Sequence, residues 1–232
     1  MRGVLHSIVA LACLASFTGT AGASGLSLRS GIELGAGMSR YDWETTVPNI
    51  DTRWGPALGA GLFVEGELPS GFRLGTGLGY RYTGEEARST ASLGGQRYEI
   101  RSKLRMHGLA LPLRLDHAIP RIPALALELG VQAEYVLKAE EKYEDNTYPA
   151  LRSTRPSAVI FEDLTKWYEV TYASHRLGAA ATAGLTWRTK LFSRDAALAA
   201  RYEHGLTSLW NDPPQDYDRH ARRLSAALRV AW

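Results

Sequence analysis

The residues best able to act as a general base in this chain are five histidines beyond residue 23. They are His107, His117, His175, His204 and His220. Lipid A deacylases place a histidine and a serine two residues apart on one strand, so that both share a face. Here Leu206 stands two residues after His204, and Ser174 is adjacent to His175, on the opposite face of a strand. The sequence therefore predicts no catalytic residue.

Other kinds of site leave few candidates. No spacing typical of a metal site, a phosphate loop or a nucleotide-binding fingerprint occurs, so we expect no metal and no cofactor. Asp218 and His220 could hold a cation or a lipid head group, or they could be charges that only meet solvent. The single cysteine, Cys13, lies near the N-terminus, which excludes disulfides and thiolate metal sites from the rest of the chain.

The first 23 residues predict a cleaved signal peptide, followed by one domain over residues 24–232. Arg2 gives a positive start, an apolar run follows to Phe17, and Ala21–Ala23 is a small-residue cleavage site. The run is shorter than the roughly 20 residues of a spanning helix, which argues against a membrane anchor. A lipoprotein acylated at Cys13 is a further alternative, but Ala10 stands where such signals usually have leucine. Without Arg2 the chain has 26 basic and 24 acidic residues, too balanced to favour nucleic acid.

Residues 222–232 alternate strictly between an apolar and a polar face. Leu224, Leu228 and Trp232 lie on the first, and Arg223 and Arg229 on the second. A period of two indicates a strand with one apolar face. An apolar-face aromatic at the end of a strand resembles the signal by which barrel-insertion machinery recognises outer-membrane barrels. We therefore expect that machinery to be a partner.

The same alternation recurs along the chain and predicts eight strands. No long apolar run follows residue 23 and the mean hydropathy is −0.20, which excludes a helical membrane protein but not a barrel. The fold class predicted is all-β, an eight-stranded antiparallel up-and-down transmembrane β-barrel. The predicted strands are 26–41, 54–67, 72–82, 98–115, 125–138, 167–187, 196–206 and the terminal strand.

Two of these strands change phase. In the fourth, the apolar positions are even-numbered up to Met106 and odd-numbered from Leu109, so we predict a bulge near His107–Gly108. In the sixth, the apolar positions are even-numbered at Tyr168 and Val170 and odd-numbered from Leu177.

The connections alternate in length. Residues 68–71, 116–124 and 188–195 are short links, whereas 42–53, 83–97, 139–166 and 207–220 are longer and polar. Outer-membrane barrels have short periplasmic turns and long outer loops. We therefore expect a Gram-negative outer-membrane location with both termini in the periplasm.

Aromatic residues fall into two bands, as expected of a protein that meets two membrane interfaces. This banding and the polar inner face argue against a soluble lipocalin-like barrel, which packs its apolar face inward. The outer band is Tyr41, Trp43, Trp54, Tyr80, Tyr82, Tyr98, Trp167, Tyr168, Tyr172 and Trp210, and the inner band is Phe72, Trp187, Phe192 and Trp232.

The polar face carries both signs of charge at similar depths. In a barrel of eight strands, side chains can fill the interior, so we expect a plug of salt bridges, with a narrow ion pathway as the alternative. The predicted lumen residues are Arg29, Glu33, Glu65, Arg73, Arg81, Arg114, Glu128, Glu134, Lys138, Arg176, Arg201, Glu203, Arg223 and Arg229.

Four segments together resemble the PorT-like outer-membrane β-barrel family. They are Leu109–Leu115 with its internal proline, Leu129–Tyr135, Leu177–Leu185 and Arg201–Leu206. The resemblance implies the barrel fold and the outer membrane. The best-known member assists protein secretion, but this chain is rich in Ala and Arg and diverges from the family, so no secretion role is carried over.

Three functions remain to be compared. The first is a non-enzymatic structural, adhesive or assembly component that binds a protein partner through its outer loops, chiefly residues 139–166. The second is a small channel for ions or solutes, and the third is lipid-modifying catalysis. Outer-membrane lipids are expected partners in every case.

Overall fold

The computed structural model describes residues 27–44, 50–68, 71–93, 96–145, 167–171, 176–208 and 218–232. The strands are β1 (Ser27–Glu44), β2 (Ile50–Glu67), β3 (Phe72–Leu93), β4 (Gln96–Ile119), β5 (Ile122–Asp145), β6 (Tyr168–Glu169), β7 (Leu177–Leu191), β8 (Arg194–Gly205) and β9 (Asp218–Ala231). The eight long strands form one antiparallel sheet of order β4-β3-β2-β1-β9-β8-β7-β5, and β4 also pairs with β5. They therefore close into a barrel, as predicted. The predicted signal peptide lies outside the described residues.

Alternate residues of each strand face opposite sides of the barrel wall. The apolar set faces outward: Leu129 is 60% exposed and Leu224 is 49% exposed. The polar set faces inward, where Glu128 and Arg223 are almost fully buried. Among the described residues, no helix is long and apolar enough to cross a membrane.

The two ends of the barrel differ. At one end, which we call the turn end, the strands are joined by residues 68–71, 120–121 and 192–193. Phe192 and Ser193 both have positive φ, as a two-residue type I′ hairpin requires, and Gly71 has φ of 79°. At the opposite end, the loop end, β1 is followed by β2, β3 by β4, β5 by β6 and β8 by β9.

Strands β3, β4 and β5 are 22, 24 and 24 residues long. A bilayer needs only about 9–11 residues per strand, so these three strands extend beyond it at the loop end. The prediction of long loops was therefore wrong for 83–93, 96–97 and 139–145, which are strand, and also for 42–44, 50–53 and 218–220. The remaining parts of these predicted loops at 45–49, 94–95, 146–166 and 209–217 lie outside the described residues. A polar sequence does not end a strand, because cross-strand hydrogen bonds form in water as well. The links predicted over 116–124 and 188–195 are also shorter than expected, because only residues 120–121 and 192–193 lie between the strands.

The bulge predicted near His107–Gly108 is confirmed in position, but the additional residue belongs to the neighbouring strand. The β4–β5 register shifts at His107/Gly108, where the additional residue is Leu137 of β5. The pairing of β4 with β3 keeps one register past this point. Leu104 and Met106 therefore face inward, and both are buried. The even-numbered face of β4 therefore points into the lumen along the whole strand. The phase change in the sequence arises because this inward face carries apolar residues near the loop end.

The predicted sixth strand, 167–187, is interrupted. Of its described residues, Tyr168–Glu169 and Leu177–Leu191 are strand, and both strands pair with β5, on either side of its bulge. Val170 lies between the two strands and is buried. Its amide donates a hydrogen bond to the carbonyl of Ala139 (2.9 Å), which continues the pairing of β6 with β5.

The aromatic bands are confirmed at four exposed positions. Tyr80 faces outward toward the loop end, and Trp187, Phe192 and Trp232 are exposed near the turn end. Tyr41 was wrongly placed in the outer band, since it lies on the inward face of β1 and is only 2% exposed. Trp210, Tyr172 and the side chains of Trp43, Tyr98 and Tyr168 lie outside what the structure describes.

Candidate functional site

The interior of the barrel is the most elaborate polar arrangement in the described chain. It follows from the alternation of the strands, because each inward position that carries Arg or Glu projects into a lumen only eight strands wide. Small inward residues leave room for these long side chains. A Cβ on Gly61 of β2, for example, would lie 2.6 Å from the Cα of Gly79 on β3.

A middle cluster joins strands from opposite sides of the barrel. Glu33 of β1 accepts hydrogen bonds from Arg201 (2.9 Å to each oxygen) and Arg229 (2.9 Å), and it also contacts Arg114. Glu128 of β5 is paired with Arg201 and Arg229. Burying these charges is tolerable only because each is paired and hydrogen-bonded. The cluster therefore ties β1, β4, β5, β8 and β9 together.

An upper cluster repeats this arrangement nearer the loop end. Arg81 of β3 donates to Glu134 (2.7 Å), to Glu203 (2.6 Å) and to Gln132 (3.0 Å). Arg223 of β9 donates to Glu134 (2.8 Å) and lies 3.3 Å from Glu203. Two guanidiniums thus face two carboxylates, which leaves no net formal charge at this level.

An apolar cap lies above the upper cluster. Its residues come from β1, β4, β5 and β9, which line opposite sides of the lumen, and from the segment after β6. Thr171 of that segment is held to β5, because its hydroxyl accepts a hydrogen bond from the Ala139 amide (3.0 Å). The cap residues are Tyr41, Leu104, Met106, Val136, Ala139, Val170 and Ala221.

At the turn end the lumen widens into a vestibule of about 250 Å³. Arg29 pairs with Asp195 at 2.8 Å, and Arg73 pairs with Glu67 at 3.1 Å. A second cavity, of about 70 Å³, lies beside the clusters against the small residues of β1 to β3. It is large enough for a few waters. The arrangement can hold water and small ions locally.

Most of the predicted lumen residues do face the interior, but two do not. Lys138 is largely exposed and pairs with Glu140, because the bulge at Leu137 turns it outward. Arg176 precedes β7, is exposed, and donates to the hydroxyl of Tyr135 at 3.4 Å.

Sequence analysis missed several lumen residues. Asp116 and Arg188 line the vestibule, but both were placed in short links. Continuing the even-numbered inward face of β4 past Arg114 would have found Asp116. Gln132 and Thr186 were missed because neither is charged, yet each contacts a buried glutamate.

The histidines do not form a hydrolytic site in the described residues. His107 contacts Tyr80 and Tyr82, and His117 stacks on Phe72 at 4.3 Å. His204 and His220 stack on each other on the outer wall. Ser174, His175 and the side chain of Asp218 lie outside the described residues. Within the described part of the chain, no group of three or more His, Cys, Asp or Glu could hold a metal ion.

A closed antiparallel barrel of eight long strands, apolar outside and charged inside, defines the class of outer-membrane β-barrels. The chain belongs to the family described as outer membrane protein beta-barrel domain, which matches residues 19–211. This family places the protein in the outer membrane of Gram-negative bacteria. A comparison with curated proteins finds no match.

Similar solved structures include three outer-membrane proteins. Neisserial surface protein A is 10% identical, with 89% of this chain and 99% of that chain covered and a TM-score of 0.41. The attachment invasion locus protein Ail of Yersinia pestis is 12% identical, with 88% of this chain and 98% of that chain covered and a TM-score of 0.35. The translocator domain of the autotransporter NalP from Neisseria meningitidis is 11% identical, with 97% of this chain and 94% of that chain covered and a TM-score of 0.30.

Proposed function

We propose that this protein is a non-enzymatic barrel with a closed lumen that acts as a structural, assembly or surface-binding component through its loop end. One observation carries the proposal: carboxylates and guanidiniums from opposite walls pair at two levels. Arg201 joins Glu33 to Glu128, and Arg223 joins Glu134 to Glu203. An ion crossing the membrane would have to break pairs at both levels, which is costly in a buried site.

We also propose that the loop end faces outward and both termini face the periplasm. The supporting observation is the asymmetry of the ends, since short turns are periplasmic in this class of protein. Outer-membrane lipids and the barrel-insertion machinery are then the general partners, and the extended β3–β5 end is the surface available to a protein partner. The residues of the resemblance favour a PorT-like member of the family, without a secretion role.

Conductance in planar bilayers tests the closed lumen. We expect no steady conductance from the wild type. We also expect none from Glu33→Ala/Arg201→Ala, because the upper cluster and the cap stay in place. Leu198→Ala, a substitution on the outer wall, is the control for effects of purification and reconstitution that do not involve the lumen. Steady wild-type conductance that the lumen variant changes would contradict the proposal and make the protein a small channel.

Labelling of single cysteines tests the sidedness. Asp51 lies at the loop end and Arg121 at the turn end, and both are exposed. We expect a bulky maleimide to label Asp51→Cys in intact cells, and to label Arg121→Cys only after the outer membrane is permeabilised. The wild type is labelled in parallel, because any reaction of its single cysteine, Cys13, would add to the signal. The reverse pattern would place the termini outside.

A further inference from the structure

A group of charged and imidazole side chains lies on the outer wall near the loop end. On β8, β9 and β1, Tyr202, Leu224 and Met38 form one row of cross-strand partners, all exposed to the surroundings of the barrel. The next row, one outward position nearer the loop end, is His204, Arg222 and Arg40. The polar row therefore begins where the apolar wall ends.

Arginine exceeds carboxylate in this group. Asp42 accepts a hydrogen bond from Arg40 Nη2 (2.9 Å), and its second oxygen contacts Arg222 Nε. Each guanidinium has five N–H donors, so one shared carboxylate leaves most of them free to bind a further anion. The Arg40 and Arg222 side chains are 32% and 41% exposed, so part of each guanidinium is accessible from outside the barrel, whereas the Nε atoms are buried.

Two imidazoles extend the same surface. His220 is the cross-strand partner of Asp42, and its ring stacks on that of His204 with centroids 6.5 Å apart and an angle of 13°. The Tyr202 hydroxyl lies 3.4 Å from Nδ1 of His204. Nδ1 of His220 is buried and has no hydrogen-bond partner among the described residues, so the ring meets the surface through its other edge. Among the described side chains, the group thus offers two permanent cations, two imidazole rings and one acid.

Elsewhere on the wall at a similar height, a second pair of cations shares one acid. Arg105 donates to Glu140 (2.8 Å), and Lys138 also pairs with Glu140 at 2.9 Å. Arg105 additionally lies over the ring of Trp167, 4.0 Å from its centroid. Arg40 likewise lies over the ring of Trp54, 5.5 Å from its centroid. Each group therefore has two cations, one acid and an aromatic ring, and the β8–β9–β1 group differs in its second arginine and its two imidazoles.

We propose that Arg40, Arg222, His204 and His220 bind the phosphate of a membrane lipid head group. A guanidinium forms bidentate, charge-assisted hydrogen bonds with phosphate, and basic side chains at the membrane boundary recognise anionic head groups. A head group also fits the location, because its acyl chains would lie along the apolar row of Met38, Leu224 and Tyr202. The assignment of this lipid to the outer leaflet rests on the sidedness proposed above; the binding itself does not.

Native mass spectrometry of the folded protein in a nonionic detergent tests the site. The probes are bisphosphorylated lipid A, the same lipid without phosphates, and inorganic phosphate. We expect the wild type to prefer the phosphorylated lipid, and Arg40→Gln/Arg222→Gln to bind it roughly thirty-fold more weakly. Lys190→Gln/Arg194→Gln, which removes two exposed cations near the turn end, is the matched control and should bind as the wild type does.

Heat-modifiable electrophoretic mobility reports whether each variant is folded. If Arg40→Gln/Arg222→Gln does not fold, His204→Gln/His220→Gln takes its place and should also weaken binding. Equal affinity of wild type and site variants for phosphorylated lipid A, or an equal loss in the control, would overturn the proposal. Displacement of the lipid by inorganic phosphate at similar concentration would assign the site to free phosphate instead. None of these results depends on lumen conductance or sidedness.

Discussion

Glu128→Gln should lower the free energy of unfolding by about 3–5 kcal/mol, the cost of leaving a buried charge without its partner. Glu128 is 1% exposed and pairs with Arg201 and Arg229, while Thr186 donates a further hydrogen bond to it at 3.1 Å. The substitution keeps the shape of the side chain but removes its charge. Glu33 then remains as the main counter-ion for guanidiniums that cannot reach water.

The measurement is denaturant-induced unfolding in lipid vesicles, followed by tryptophan fluorescence. Glu67→Gln is the matched control, because Glu67 pairs with Arg73 at the turn end with 44% of its side chain exposed. An exposed pair of this kind contributes about 0–1 kcal/mol. Equal losses in the two variants would mean that the middle cluster is hydrated, and would favour an open lumen.

The inward orientation of Glu128 was predictable from sequence, but its partners were not. Period-two alternation fixes which residues share a face, and this assigned Glu33, Glu128, Arg201 and Arg229 to the lumen. Which of them meet depends on the stagger of strands around the closed barrel. Alternation within single strands contains no information about that stagger.

The errors have two physical causes. Leu104 and Met106 were assigned to the lipid face because apolar residues were expected to meet lipid, yet near the loop end they pack inside with Tyr41 and Val170. Lys138 was assigned to the lumen because a regular strand was assumed. One additional residue, Leu137, reverses the facing of everything beyond it. No signal in β5 itself marks that bulge, because Leu137 continues the run of odd apolar positions.

The residue after Glu128 tests the opposite face of the same strand. Leu129 is 60% exposed, and its cross-strand partners Leu115 and Ala183 are also apolar, at mid-height on the wall. Leu129→Arg should therefore destabilise the barrel in a bilayer by about 2–4 kcal/mol, the cost of arginine at the midplane of a membrane barrel. Equilibrium unfolding in vesicles measures this cost.

Leu177→Arg is the control that separates membrane depth from the substitution itself. Leu177 is 66% exposed but lies at the loop-end start of β7, opposite Tyr135. Near the interface the arginine can reach head groups, so its cost falls to about 0–1 kcal/mol. In a detergent micelle, which deforms around a charge, we expect the difference between the two variants to shrink. Equal costs in the bilayer would contradict the placement of Leu129 at the midplane, because only depth distinguishes two exposed leucines on one wall.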